Sequence, residues 1–102
     1  MDLAGEMAGK AEAVAGFVKG LANPHRLLIL CALSAGERSV SELIAFTGLA
    51  QTSMSQHLAK LRSEGIVEYR RDHRTLHYRI VHPAVSEIMA VLYAHFCGDG
   101  RS

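Results

Sequence analysis

Residues 39 to 65 read SVSELIAFTGLAQTSMSQHLAKLRSEG, two helical signals separated by only three residues. That short link constrains the fold more than any other feature of the chain. SVSE fits a capping box, in which the Ser39 hydroxyl accepts from the backbone three residues on and Glu42 reaches back to the cap. The helix it opens, VSELIAFT, stops at Gly48, the residue type best suited to a left-handed helix end. Leu49 and Ala50 follow, and a second helical pattern begins at Gln51. Two helices joined by so short a glycine-containing turn are expected to pack as a helix-turn-helix.

The second of these helices has an unusual outer face. Met54, Leu58 and Leu61 recur at helical spacing and predict a buried stripe. At about 100° per residue, Thr52, Gln56, Ala59 and Ser63 fall opposite, with Ser53, Ser55 and Lys60 beside them. A merely solvated face favours Glu and Lys, whereas Ser and Thr are mediocre helix formers. Short neutral polar side chains can come close to base edges in the major groove of DNA. Gln51, Thr52, Ser53, Ser55 and Gln56 are therefore the candidate base-reading residues.

After Gly65, IVEYRR and TLHYRIV alternate as two strands joined by DHR. Val67 and Tyr69 share one parity, as do Leu76, Tyr78 and Ile80, so the hairpin is expected to have one covered face. A hairpin after a helix-turn-helix is a wing, and its tip is expected to hold Arg70, Arg71, His73 and Arg74. Residues 51 to 80 contain six Lys or Arg against three acids, a net +3, while each flank nets −1. Lys60, Arg62 and the wing cations are the candidate phosphate contacts, and His57, His73 and His77 add charge when protonated. The competing readings are a solvated helix beside an ordinary basic hairpin, or a winged-helix module that binds protein rather than DNA.

At 102 residues the chain fits a single domain, expected over 1–97 with a loose tail at 98–102. Apolar spacing predicts a first helix over 3–21, and Asn23-Pro24 opens a second through about Ser34 whose LLILC run is apolar nearly all round. That second helix is expected to be buried. A last helix follows Pro83, with Val85, Ile88, Met89, Leu92 and Phe96 along one side. The first and last helices are apolar yet lie outside the reading unit, which makes them the natural surface of a homodimer, or else they complete the monomer core. The fold class is mainly α with a small β-hairpin. MDLAGEMAGK lacks the apolar run of a secretory signal and LLILCAL is too short to cross a bilayer, so a cytoplasmic protein without membrane association is expected. An enzyme is the weakest reading: His25 and Cys31 are six apart, off a common helical face, and no acid or oxyanion loop accompanies them.

The stretches LANPHRLLILCAL, GERSVSELIAFTGLAQTSMSQHLAKLRSEGIVEYRR and HYRI, within residues 20 to 97, resemble the ArsR/SmtB family of bacterial repressors. The resemblance implies a dimeric winged helix-turn-helix with five helices, the hairpin between the fourth and fifth. It also implies double-stranded operator DNA with an inverted repeat, released on binding an inducer. Ala50 departs from the family, which often has Ser as the recognition-helix cap. SVSELIAF lacks the cysteines of the metalloid sensors, and His82 and His95, thirteen apart, are a poor fit to the four ligands zinc prefers. No metal site is assigned and no cofactor is required, with haem or metal kept as alternatives.

Cys31 and Cys97 are the only cysteines. They resemble the pair in the persulfide-sensing SqrR/BigR, HlyU-like subgroup. That resemblance implies a sensor dithiol, converted by low-molecular-weight persulfides into a disulfide or polysulfide link that releases DNA. The alternatives are an inducing metal, haem or general oxidant, or a Cys31 that is simply a small hydrophobe in an apolar run.

Overall fold

A computed structural model of the chain describes residues 2–98. The elements are α1 (Leu3–Ala8), α2 (Ala11–Leu21), α3 (Pro24–Ser34), β1 (Arg38–Ser39), α4 (Val40–Thr47), α5 (Gln51–Ser63), β2 (Val67–Asp72), β3 (Thr75–Ile80) and α6 (Pro83–Phe96). The expected tail lies, beyond Gly98, outside the described residues.

Local chemistry accounts for most of the boundaries. Asn23 Oδ1 accepts from the backbone N–H groups of His25 and Arg26 at 2.9 and 3.1 Å, and Pro24 starts α3 where its missing N–H costs nothing. At α4 the capping box is complete: Glu42 N donates to Ser39 Oγ at 3.1 Å, and Ser39 N donates to Glu42 Oε1 at 2.8 Å. The bond from the Ser39 backbone holds the Glu42 carboxyl below its ordinary range. Gly48 takes φ +76° and its N–H donates to Ile44 O at 2.8 Å, so α4 ends as expected and α5 starts three residues later.

The core lies where α3, α4, α5 and the sheet meet. Ile29, Leu30, Leu43, Met54, Leu58, Leu61, Ile66, Val67 and Val85 are fully buried, the middle three being the stripe of α5. In the sheet, β3 lies between β1 and β2, both antiparallel to it. Val67 faces Ile80 and Tyr69 faces Tyr78, which puts the apolar parity of both strands on the covered side. Burial pushes the Tyr78 hydroxyl up, and its ring lies 5.3 Å from that of Tyr69.

Three expectations need correction. The first helix is not continuous: it breaks at Gly9 and Lys10 into α1 and α2. Gly9 lowers helix stability, and residues 2 to 16 are all exposed, so no packing holds the two segments in line. The sheet has a third strand, β1, whose two residues pair with His77 and Tyr78 and are too few to show a period. Finally, α3 is not buried all round: Ile29, Leu30, Ala32 and Leu33 enter the core, but Leu28 is 44% exposed and Cys31 only half-buried. An apolar helix with one open side faces a groove or a partner.

Truncation tests this hierarchy. Leu58→Ala, in the sealed stripe, is expected to lower unfolding free energy by about 2–5 kcal/mol. Loss of the cap in Ser39→Ala should cost about 0.5–2 kcal/mol. Urea unfolding at one fixed protein concentration reads both.

Candidate functional site

Burial of Met54, Leu58 and Leu61 turns the other side of α5 outward. Gln51, Thr52, Ser55 and Gln56 are exposed and Ser53 is half-buried at the edge of the stripe. Ala50 occupies the N-cap without a side-chain bond, as the sequence led one to expect. The start of α5 thus offers hydroxyls, amides and backbone N–H groups together, a surface able to donate and accept but carrying no formal charge.

The basic residues divide into two groups. Arg62 donates through Nε to Glu68 Oε1 at 2.6 Å, and its guanidinium lies 4.5 Å from the centre of the Tyr69 ring. Arg70 donates through Nε to both oxygens of Glu37, at 2.9 and 3.1 Å, reaching from the wing to the loop before β1. These hydrogen bonds lower the Glu37 and Glu68 carboxyls and raise both guanidiniums. Lys60 pairs with Glu64 one turn on, at 3.3 Å. Arg71 and Arg74 are exposed and, among the described residues, have no carboxylate partner.

The wing tip is tighter than expected. Both strands extend to a two-residue turn at His73 and Arg74, so Arg70 and Arg71 sit back within β2 rather than at the tip. His73 takes φ +59°, a region in which His is tolerated better than most side chains, and its Nε2 lies 3.7 Å from Asp72.

His57 is placed where the charged form is disfavoured. It is half-buried on α5 beside Arg26, whose Nε donates to His57 Nδ1 at 3.4 Å, and its ring lies 5.6 Å from that of His25. That bond needs a neutral imidazole. Burial first, then the charges of Arg26 and His25, push its pKa down. Arg26, whose Nη1 also donates to Gly20 O at 2.8 Å, ties α3 to α5 and to the end of α2, a role no local sequence pattern announces.

The two cysteines, 66 positions apart, meet one cavity. Cys31 is half-buried on α3, and Cys97 is exposed at the end of α6, where its N–H donates to Tyr93 O at 2.9 Å. Both thiols are free and line a groove of about 1000 Å³ between α3 and α6, with Leu28, Met89, Tyr93 and Phe96. Cys31 also lines a second cavity, of about 500 Å³, shared with Arg38, Glu42 and Phe46. His82 and His95 do not line that groove. His82 is half-buried and caps α6, its Nδ1 accepting from Ala84 N at 3.1 Å with its ring 4.7 Å from Phe17, while His95 is exposed. Among the described residues, no three His, Cys, Asp or Glu side chains cluster as a metal site would need.

Helix, short turn, helix with an outward polar face, and a basic wing define a winged helix-turn-helix DNA-binding domain. Residues 23–69 match the model of the bacterial regulatory proteins of the arsR family. The chain is 39% identical to the biofilm growth-associated repressor of Xylella fastidiosa strain 9a5c over 94% of its own length and 84% of that protein. Reduced HlyU from Vibrio cholerae superposes with a TM-score of 0.85 at 36% identity, covering 90% of this chain and 97% of that one. The homodimeric winged helix-turn-helix DNA-binding domain of Mb0332 from Mycobacterium bovis gives 0.75 at 38% identity, over 86% and 82%. The chain belongs to the ArsR family of transcriptional regulators and is not an enzyme. No helix among the described residues is long and apolar enough to cross a membrane.

The His57 contact predicts a pH dependence. Its folded-state pKa lies below its unfolded value, so the stability it contributes is full above about pH 6.5 and is lost as pH falls toward the folded value. Between pH 6.5 and 5 the parent is expected to lose more unfolding free energy than His57→Gln, measured by paired urea titrations.

Proposed function

We propose that this regulator is a homodimeric repressor that holds an inverted-repeat operator and lets it go when Cys31 and Cys97 become covalently linked. The observation that carries the reading is the convergence of the chain's two thiols, from α3 and the end of α6, on one groove. In this reading Gln51, Thr52, Ser53, Ser55 and Gln56 read base edges, while Lys60, Arg62, Arg70, Arg71, His73 and Arg74 meet phosphates and set register. Arg71 and Arg74 contribute from the start, whereas Arg62 and Arg70 must first exchange Glu68 and Glu37 for phosphate.

Dimerisation is supported by apolar surface on the elements outside the reading unit. Leu3 and Met7 on α1, Val14 and Val18 on α2 and Val91 on α6 are exposed. The Mycobacterium bovis relative is a homodimer, which supports the same arrangement here. A twofold axis then presents two α5 helices to half-sites about one helical turn apart.

The sulfur chemistry balances with a low-molecular-weight persulfide as oxidant. A Cys31 thiolate attacks the outer sulfur of RSSH, expelling RS⁻ and leaving Cys31–S–SH. The Cys97 thiolate then attacks the inner sulfur of that group and expels HS⁻. Two thiols are oxidised to a disulfide as RSSH is reduced to RSH and H₂S; if a second RSSH first converts Cys97 to Cys97–S–S⁻ with loss of RS⁻, its terminal sulfur attacks the inner sulfur of Cys31–S–SH, expels HS⁻ and gives a trisulfide link instead. In the reducing bacterial cytoplasm, the location this reading assigns, the pair stays open until such an oxidant arrives. Because α3 packs on α4, α6 and β3, tying α6 to α3 shifts the elements that set the spacing of the two reading heads. HlyU from Vibrio cholerae has a structure specified as the reduced form, which adds support for thiol state as a relevant variable.

Operator fluorescence anisotropy with peptide mapping tests the scheme. Persulfide is expected to link Cys31 to Cys97 and weaken DNA binding at least tenfold, and Cys31→Ser or Cys97→Ser to abolish the response. Release by a metal, haem or peroxide in the double serine variant would overturn the sensor assignment. Arg71→Ala and Arg74→Ala are each expected to lower the slope of log affinity against log salt by about one, without changing sequence preference. Gln56→Ala should instead cost about 1–3 kcal/mol on the preferred operator and relax its sequence preference.

A further inference from the structure

The groove holding the two thiols has a chemical character of its own. We propose that it selects the sulfur donor, admitting persulfides with uncharged alkyl or aryl groups and disfavouring those carried by charged peptide thiols. This deepens the sensor reading above and rests on it. Among the described residues no charged side chain lines the groove; its walls are mainly Leu27, Leu28, Met89, Leu92, Tyr93 and Phe96, and Ser34 and Ser86 add two hydroxyls. At about 1000 Å³ it can enclose a donor's organic group as well as its two sulfurs.

The wall is built to stay open to a small molecule. Phe96 is 74% exposed and Tyr93 58% exposed on the side of α6 that carries Cys97, whereas Val91 points roughly half a turn away. The α6 surface assigned to the partner subunit and the surface assigned to the donor are therefore different sides of one helix. An apolar group settling between Leu28 and Phe96 brings its persulfide to Cys31, which lines the same groove beside Leu28 on α3. A glutathione-like carrier must instead bring carboxylates and an ammonium into a wall with no charged group to pair them.

Cys31 has a second approach through the smaller cavity, where Arg38 and Glu42 are found. A charged donor anchoring on Arg38 is the rival route. The two routes predict opposite rankings of donors, since one rewards methylenes and the other carboxylates.

Reduced full-length protein is mixed under anaerobic conditions with ethyl, butyl, hexyl or glutathione persulfide. Formation of the Cys31–Cys97 link is followed by intact mass, each rate being divided by that of the same donor with an unstructured cysteine peptide. The normalised rate is expected to rise up to about fourfold per added methylene, with hexyl ahead of glutathione persulfide by about tenfold or more. Leu28→Glu, checked for folding by its operator affinity before treatment, is expected to cut the hexyl rate and leave the chain-length series flat. A flat series in the parent overturns the selectivity. Glutathione persulfide being fastest, and slowed by Arg38→Gln, overturns it in favour of the smaller cavity. In both cases linking still releases DNA, so the sensor reading survives. If no donor forms the link, or the linked protein keeps its operator, the sensor reading itself has failed.

Discussion

Everything this domain can present to DNA depends on three side chains that never leave the core. Met54, Leu58 and Leu61 are sealed in a core shared with α3, α4 and the start of the wing, and that burial sets the rotation of α5 about its own axis. Rotating the helix by one residue, about 100°, would bring Ser55 into the core and Met54 toward water. The penalty for burying an unpaired hydroxyl and exposing a large apolar group leaves a single orientation. The outward face of small hydroxyls and amides is a consequence of the stripe opposite it.

Around this rigid element the charges are arranged with restraint. Glu68 holds Arg62 on the reading helix and Glu37 holds Arg70 on the wing, so the basic segment shows less free positive charge than its composition suggests. Exposed ion pairs of this kind contribute little to stability and are readily exchanged for another anion. Their effect is to lower the domain's attraction for polyanions in general, because each phosphate must displace a carboxylate already in place. A regulator that must find one site among many benefits from weak nonspecific attraction.

The sequence reveals those parts of the fold that rest on local chemistry. The capping box at Ser39, the left-handed end at Gly48, the Asn23-Pro24 start and the stripe of α5 all depend on residues within a turn or two of one another, and each lies where the pattern puts it. What was not legible depends on distance. Strand β1 exists because Arg38 and Ser39 meet His77 and Tyr78, nearly forty positions on. Glu37 looks like any loop acid until the wing folds back on it, and His57 looks titratable until Arg26 closes over it. The open side of α3 was hidden for a related reason: LLILC is apolar all round, and composition cannot tell a core wall from a groove wall.

The last helix has two differently assigned edges, one bearing Val91 and the other Tyr93, Phe96 and Cys97. A rod of fourteen residues is too stiff to bend one edge independently of the other, so any strain placed on the thiol edge must emerge as tilt or roll along the opposite one. In the proposed sensor, covalent chemistry in a pocket of one subunit would by this route become geometry shared by two.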